Sequence, residues 1–121
     1  MSSRAWRLRV QDIITAIDSI RRYTEHLAFE EFQDNEIVVQ AVLYNFIVMG
    51  EAVRNIPDEI QSLYPQIPWR QIGGTRNVAA HEYFQIKLTI IWNAICNNLP
   101  TLRMQLQDLL SSELDDRDRT V

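Results

Sequence analysis

The chain has 121 residues, 46% hydrophobic and 23% charged, a formal net charge of −4 and one cysteine; this is the balance of one soluble globular domain, not of a disordered or disulfide-stapled chain. Three Gly and four Pro supply too few tight turns for an all-β fold, and the abundance of Leu, Ile, Gln, Glu and Arg favours helix. An isoelectric point near 5.1 excludes broad, charge-driven binding to nucleic acid, so any RNA contact has to be local.

The N-terminal stretch, Met1-Ser2-Ser3-Arg4-Ala5-Trp6, has no apolar leader run. Trp6, Val10, Ile13, Ile17, Ile20, Thr24 and Leu27 then recur at steps of four and three with polar residues between them. That spacing predicts a long amphipathic first helix whose near-heptad face packs along a neighbour. Phe29 to Asn35 breaks the pattern, and Asp34 or Asn35 is placed to cap a second long helix running to about Arg54. This helix is apolar almost all round, the mark of a central element. Its longest apolar stretch, Ile37 to Met49, is interrupted by Gln40 and Asn45 and is short for a membrane span of about 20 residues. A cytoplasmic location is expected. Gln40, Tyr44, Glu51 and Arg54 share one stripe of the helix, which either faces solvent or lines a polar pocket.

Pro57 can open a short helix and Pro65 must stop it, while Pro68 pre-sets the start of another helical stretch with Trp69 and Ile72. Gly73-Gly74 marks a weak point or a close approach of another backbone. From Gln85 onward Leu88, Ile91, Ile95, Leu99, Leu102, Leu106 and Leu109 predict a long terminal helix, kinked near Pro100. Cys96, inside the apolar run, is expected in the core. The fold class is therefore all-α: one helical domain over 1–110, then a flexible acidic tail over 111–121.

Of two histidines, His26 follows Glu25 near a helix end, where the helix dipole favours a cation and no function is needed. His81 lies in Arg76-Asn77-Val78-Ala79-Ala80-His81-Glu82-Tyr83. RNA cleavage without a metal needs a base for the 2′-hydroxyl, an acid for the leaving oxygen and a cation for the crowded transition state. Arg76 and His81 match those needs by type. Five positions on a regular helix separate them by about 140°, so they meet at one phosphate only if the helix ends between them or a second subunit completes the site. Asn77 shares a face with His81 and can orient the imidazole or hold substrate. Equally, Arg76 can be a surface ion-pair partner and His81 a helix cap. No second His or Cys stands at metal-ligand spacing, and no Gly-rich phosphate loop is present.

Three stretches in order, Phe46-Ile47-Val48-Met49-Gly50-Glu51-Ala52-Val53, Tyr64-Pro65-Gln66-Ile67-Pro68-Trp69-Arg70-Gln71-Ile72, and Arg76-Asn77 through His81-Glu82-Tyr83-Phe84, resemble the HEPN superfamily and, within it, the HepT-like ribonuclease toxins, from about Asp12 to Leu109. The resemblance implies an up-and-down helical bundle that dimerises so that two Arg-x4-His motifs share one RNA-cutting cleft that needs no cofactor, with Arg76 and His81 catalytic and Asn77 and Glu51 supporting. It implies a homodimer or higher homo-oligomer and a nucleotidyltransferase antitoxin that moves AMP onto Tyr83, adding charge and bulk that repel RNA. A different reading of the same helical faces is a non-catalytic adaptor or substrate-binding subunit of a nucleotidyltransferase.

Overall fold

The computed structural model describes the backbone of residues 3–81 and 87–119 and the side chains of 5–76 and 87–112. Among the described residues the fold is an all-α bundle with no strand. Helix α1 (Ser3–Thr24) buries Trp6, Val10, Ile13, Ile17, Ile20 and Thr24 on the face that the spacing predicts. At its end the Thr24 hydroxyl donates to the Ile20 carbonyl at 2.8 Å, which lets a hydroxyl sit in the core with its hydrogen bond made.

The short α2 (Phe29–Asp34) stops at Asn35, whose side chain accepts from the Val38 N–H at 3.1 Å and opens α3 (Glu36–Arg54). Helix α3 packs against both α1 and α5 (Trp69–His81). It is long and apolar enough by composition to cross a bilayer, with a mean hydropathy of 1.5, so the expectation that the stretch is too short for a span does not hold for the whole helix. Its setting accounts for that composition: Val39, Val42, Leu43, Phe46, Met49 and Val53 are buried between two neighbouring helices. Along the stripe singled out above, Gln40, Tyr44 and Arg54 are exposed and Glu51 is half-buried, so the stripe faces solvent.

Proline punctuation places the next turns. Pro57 caps α4 (Asp58–Leu63), Pro65 follows its end, and Pro68 precedes α5. Between them Ile67 and Trp69 are buried, and the indole N–H donates to the Tyr64 carbonyl at 3.0 Å. The Gln61 amide donates at 3.0 Å to the Ile56 carbonyl just past α3, so α4 closes the end of its predecessor.

The terminal rod departs from a plain kinked helix. It comprises α6 (Leu88–Asn93), a π-helical turn over Ala94–Asn98, and α7 (Leu99–Arg119). The Leu99 N–H reaches back five residues to the Ala94 carbonyl. Pro100 has no N–H and its ring crowds the carbonyl four residues back, and widening the preceding turn relieves that crowding. Within this rod Ile95 and Leu99 are buried, whereas Cys96 is exposed. The core placement expected for Cys96 is thus incorrect, because lying within an apolar run does not put a residue on the buried face, which Ile91, Ile95 and Leu99 hold here. The backbone remains helical through the acidic stretch to Arg119, which contains no Gly or Pro to end it.

Trp92 on α6 meets Phe32 of α2 at 5.1 Å between ring centroids, and α7 packs on α1. There Arg103 holds Asp18 with two bonds, Nε to Oδ1 at 2.6 Å and Nη2 to Oδ2 at 3.2 Å. These hydrogen bonds hold the Asp18 carboxyl below its ordinary 3.8 despite partial burial, which pushes it up, and the charges of Arg103, Arg21 and Arg22 add to the lowering. Because the folded-state value is depressed, the pair contributes stability above about pH 4 that is lost as pH falls through the folded value. Both side chains are more than a third exposed (42% and 36%), so the contribution is modest. Asp18→Asn is expected to lower unfolding stability by about 0.5–1 kcal/mol at pH 7. Urea titrations of both proteins should show the gap closing below pH 4; a gap that stays constant into strong acid would place its origin elsewhere.

Candidate functional site

The tightest seam of the bundle lies between α3 and α5. A Cβ built on Gly50 would stand 2.5 Å from Arg76 Cβ, 2.9 Å from its amide nitrogen and 3.1 Å from its Cα. Two of those atoms are backbone, so no rotamer change makes room. Gly50 is therefore the residue that lets α5 close on α3. One residue on, the Glu51 carboxylate pairs with the Arg76 guanidinium through Oε1 and Nε. One turn before Gly50, the Phe46 carbonyl lies 3.0 Å from the Thr75 hydroxyl, which also lies 2.6 Å from Ile72 O of its own helix. Arg76 is thus set by its backbone against Gly50, by its head against Glu51 and by its chain neighbour against Phe46.

Gly73-Gly74 proves not to be the place of close approach. The nearest neighbour of a Cβ at Gly73 would be Val53 Cγ1 at 3.8 Å, an ordinary contact, and at Gly74 nothing stands within 4 Å. Neither glycine breaks the helix, since α5 runs unbroken from Trp69 to His81. The same continuity decides between two geometric options. The helix does not end between Arg76 and His81, so their backbone positions stay about 140° apart around its axis, and the position of Arg76 is the one turned to α3. Asn77 and His81 belong to α5 by backbone, but their side chains lie outside the described residues, as does all of Tyr83. The other histidine, His26, is exposed beside Glu25 at 3.3 Å, as a residue without a site is expected to be. Among the described residues no group of three or more His, Cys, Asp or Glu is placed to hold a metal ion.

Two features escape a reading of the sequence alone. Gly50 is one glycine inside an apolar helix, and nothing local reveals that another backbone lies across it. The second is a groove of about 580 Å³ between the start of α5 and the π-turn and first turns of α7. Its lining residues are distant in sequence, so no linear motif announces it.

Comparison with known proteins gives the chain a family. Residues 13–109 match the family described as ribonuclease HepT-like. A protein named as a probable ribonuclease HepT from Thermococcus cleftensis is 31% identical over 100 residues, covering 83% of this chain and 91% of that protein. A candidate RNase from Caldanaerobacter subterraneus subsp. tengcongensis is 29% identical over 104 residues, covering 86% and 93%, and one from Methanocaldococcus jannaschii is 31% identical over 104 residues, covering 86% of each chain. No solved structure matches.

Gly50→Ala separates two opposing effects. Ala favours a helix interior over Gly by about 1 kcal/mol, while overpacking costs about 1–3 kcal/mol. With backbone atoms in the way, the second effect wins, and chemical denaturation should show net destabilisation. A variant as stable as the parent, or more so, would mean that the helices are not in this contact.

Proposed function

Because the chain belongs to the HepT-like ribonuclease family, we propose that it is the toxin of a toxin–antitoxin pair, an endoribonuclease that cleaves RNA without a metal through Arg76 and His81. The observation that carries the proposal is the seating of Arg76: a glycine opens the space for its backbone and a carboxylate holds its head. A cation fixed in this way is what stabilisation of a charged transition state needs, since no reorganisation is spent at the moment of reaction.

In the reaction, a base takes the proton of the ribose 2′-hydroxyl, the 2′ oxygen attacks phosphorus, and the bond to the 5′ oxygen breaks as an acid protonates it. The products are a cyclic phosphate and a free 5′-hydroxyl, and no water is consumed in this step. His81 is the proton carrier and Arg76 the counter-charge to the phosphorane oxygens. One protomer offers one imidazole where the reaction uses both a base and an acid. Two protomers of a homodimer offer two, and across their cleft the His81 of one copy can meet the Arg76 of the other, which the unbroken α5 supports as the route to convergence. Asn77 is assigned to orienting His81, being four positions away on the same face. Glu51 is assigned to positioning Arg76, with which it pairs.

Purified protein in excess EDTA is expected to cut RNA, and His81→Ala to lower the rate by at least about a hundredfold, the usual contribution of a positioned proton carrier. Equal cleavage by the two proteins would remove the assignment.

The reading extends to a nucleotidyltransferase antitoxin that neutralises the toxin by moving AMP from ATP onto the Tyr83 hydroxyl, with pyrophosphate leaving. The added phosphate repels RNA at the cleft. Intact-mass measurement after co-expression with the neighbouring nucleotidyltransferase should show an added AMP that Tyr83→Phe abolishes. An unchanged mass in the parent protein would exclude this means of control.

A further inference from the structure

The four long helices lie in the order α7, α1, α3, α5, with α7 on α1, α1 on α3 and α3 on α5. Among the described residues the remaining seam, between α5 and the terminal rod, is the open one, and the groove of about 580 Å³ occupies it. That volume falls in the range of about 300–1,000 Å³ found for small-ligand sites. Phe46 and Met49 of α3 and Leu102 of α7 form an apolar floor. The walls carry five carboxamides, Gln66, Gln71, Asn97, Asn98 and Gln105, together with the hydroxyls of Thr75 and Thr101. None of the lining residues is charged. Gln105 donates across the lower end to the Gln66 carbonyl at 3.2 Å, and Asn97 donates to Asn93 at 2.5 Å, so part of the wall is braced.

A slot without a cation is a poor phosphate site, even though phosphate contacts supply most of the affinity for a nucleic acid strand. Paired donors and acceptors over an apolar floor suit instead a flat, neutral, hydrogen-bonding ring, and carboxamides are the side chains that pair bidentately with base edges. The groove also adjoins the candidate site on two helices at once. Met49 and Thr75 line it, and the next residue along each helix is Gly50 and Arg76, the pair in closest contact. From this juxtaposition we propose that the groove is a base-binding subsite, which takes an unpaired nucleobase of the RNA strand whose phosphate lies at Arg76. The identity of the strand rests on the ribonuclease reading; the fit of a neutral ring to the groove does not. The cleavage position then follows a base preference set by Gln71 and Asn98, on opposite walls, although neither takes part in the chemistry.

The test uses binding alone. RNA oligomers with 2′-O-methyl groups lack the attacking hydroxyl, and homopolymers of A, C, G and U can be compared by fluorescence anisotropy with an abasic strand of the same charge. The parent protein should bind best and worst bases with dissociation constants at least about fivefold apart, the smallest effect expected of one bidentate pair, with the abasic strand weakest. Gln71→Ala combined with Asn98→Ala should erase the differences and keep the salt dependence, which reports phosphate contacts. Both side chains are exposed, so the fold should survive; if it does not, amide shifts of Ala94–Asn98 in the parent protein, present with base-bearing and absent with abasic strands, give the same answer. Equal affinity for abasic and base-bearing strands overturns the proposal, as does binding of free nucleoside monophosphates in preference to every oligomer. A protein that cuts no RNA but discriminates bases would remove the ribonuclease reading and leave this one standing. A protein that cuts RNA and ignores bases would do the reverse.

Discussion

The missing side chain of Gly50 is the constraint around which the half of the molecule holding α3 and α5 is organised. Helices ordinarily keep their axes 8–10 Å apart because side chains stand between them. Here the β-carbon and backbone of Arg76 occupy the space that a side chain at position 50 would fill. The contact places α5 along its whole described length, since a helix is stiff over a few turns. Glu51 and Thr75 then act on a backbone already positioned: one takes the guanidinium, the other faces the Phe46 carbonyl. The groove lies beside this contact, between the start of α5 and the terminal rod.

The ion pair between Glu51 and Arg76 is also the means by which an acidic chain can hold a local cation. At net −4 the protein repels a polyanion at long range, and its field does not gather RNA as a basic groove would. A guanidinium held at one place acts only over the last few ångströms, where screening by salt is weakest. Such a surface favours a substrate that is recognised by shape and base edges over one held by its charge.

Much of the architecture was legible in the chain because it rests on short-range rules. The face of α1 from Trp6 to Thr24, the Asn35 cap, and the stops and starts at Pro57, Pro65 and Pro68 each follow from periodicity or from one residue's backbone preference. What was not legible depends on two segments meeting. Gly73-Gly74 drew notice as a pair, yet Gly50 makes the close contact, since only the path of α5 decides which glycine is crossed. Cys96 was placed inside because it lies in an apolar run, yet the helical face buried there is the one holding Ile91, Ile95 and Leu99, and Cys96 lies off it. For the candidate site, Arg76 and His81 were singled out by residue type and by the resemblance to a family, and only the side chain of Arg76 lies among the described residues. That Glu51 pairs with Arg76, and that amides 39 positions apart, Gln66 and Gln105, border one groove, belongs to the tertiary fold.

The π-turn gives the C-terminal rod two azimuths on one axis. Ahead of it, Trp92 looks towards α2; behind it, Arg103 looks towards α1. A uniform helix of the same length has a single rolling phase, so the widened turn works as a coupling that offsets the two halves. Excising one residue between 94 and 98 would restore the regular period and swing every later position by about 100°, carrying Arg103 off Asp18 while leaving Trp92 in place. Sequence length in this short span therefore acts as a setting of rotation, and a homologue with one residue fewer there would have to present a different set of side chains to α1.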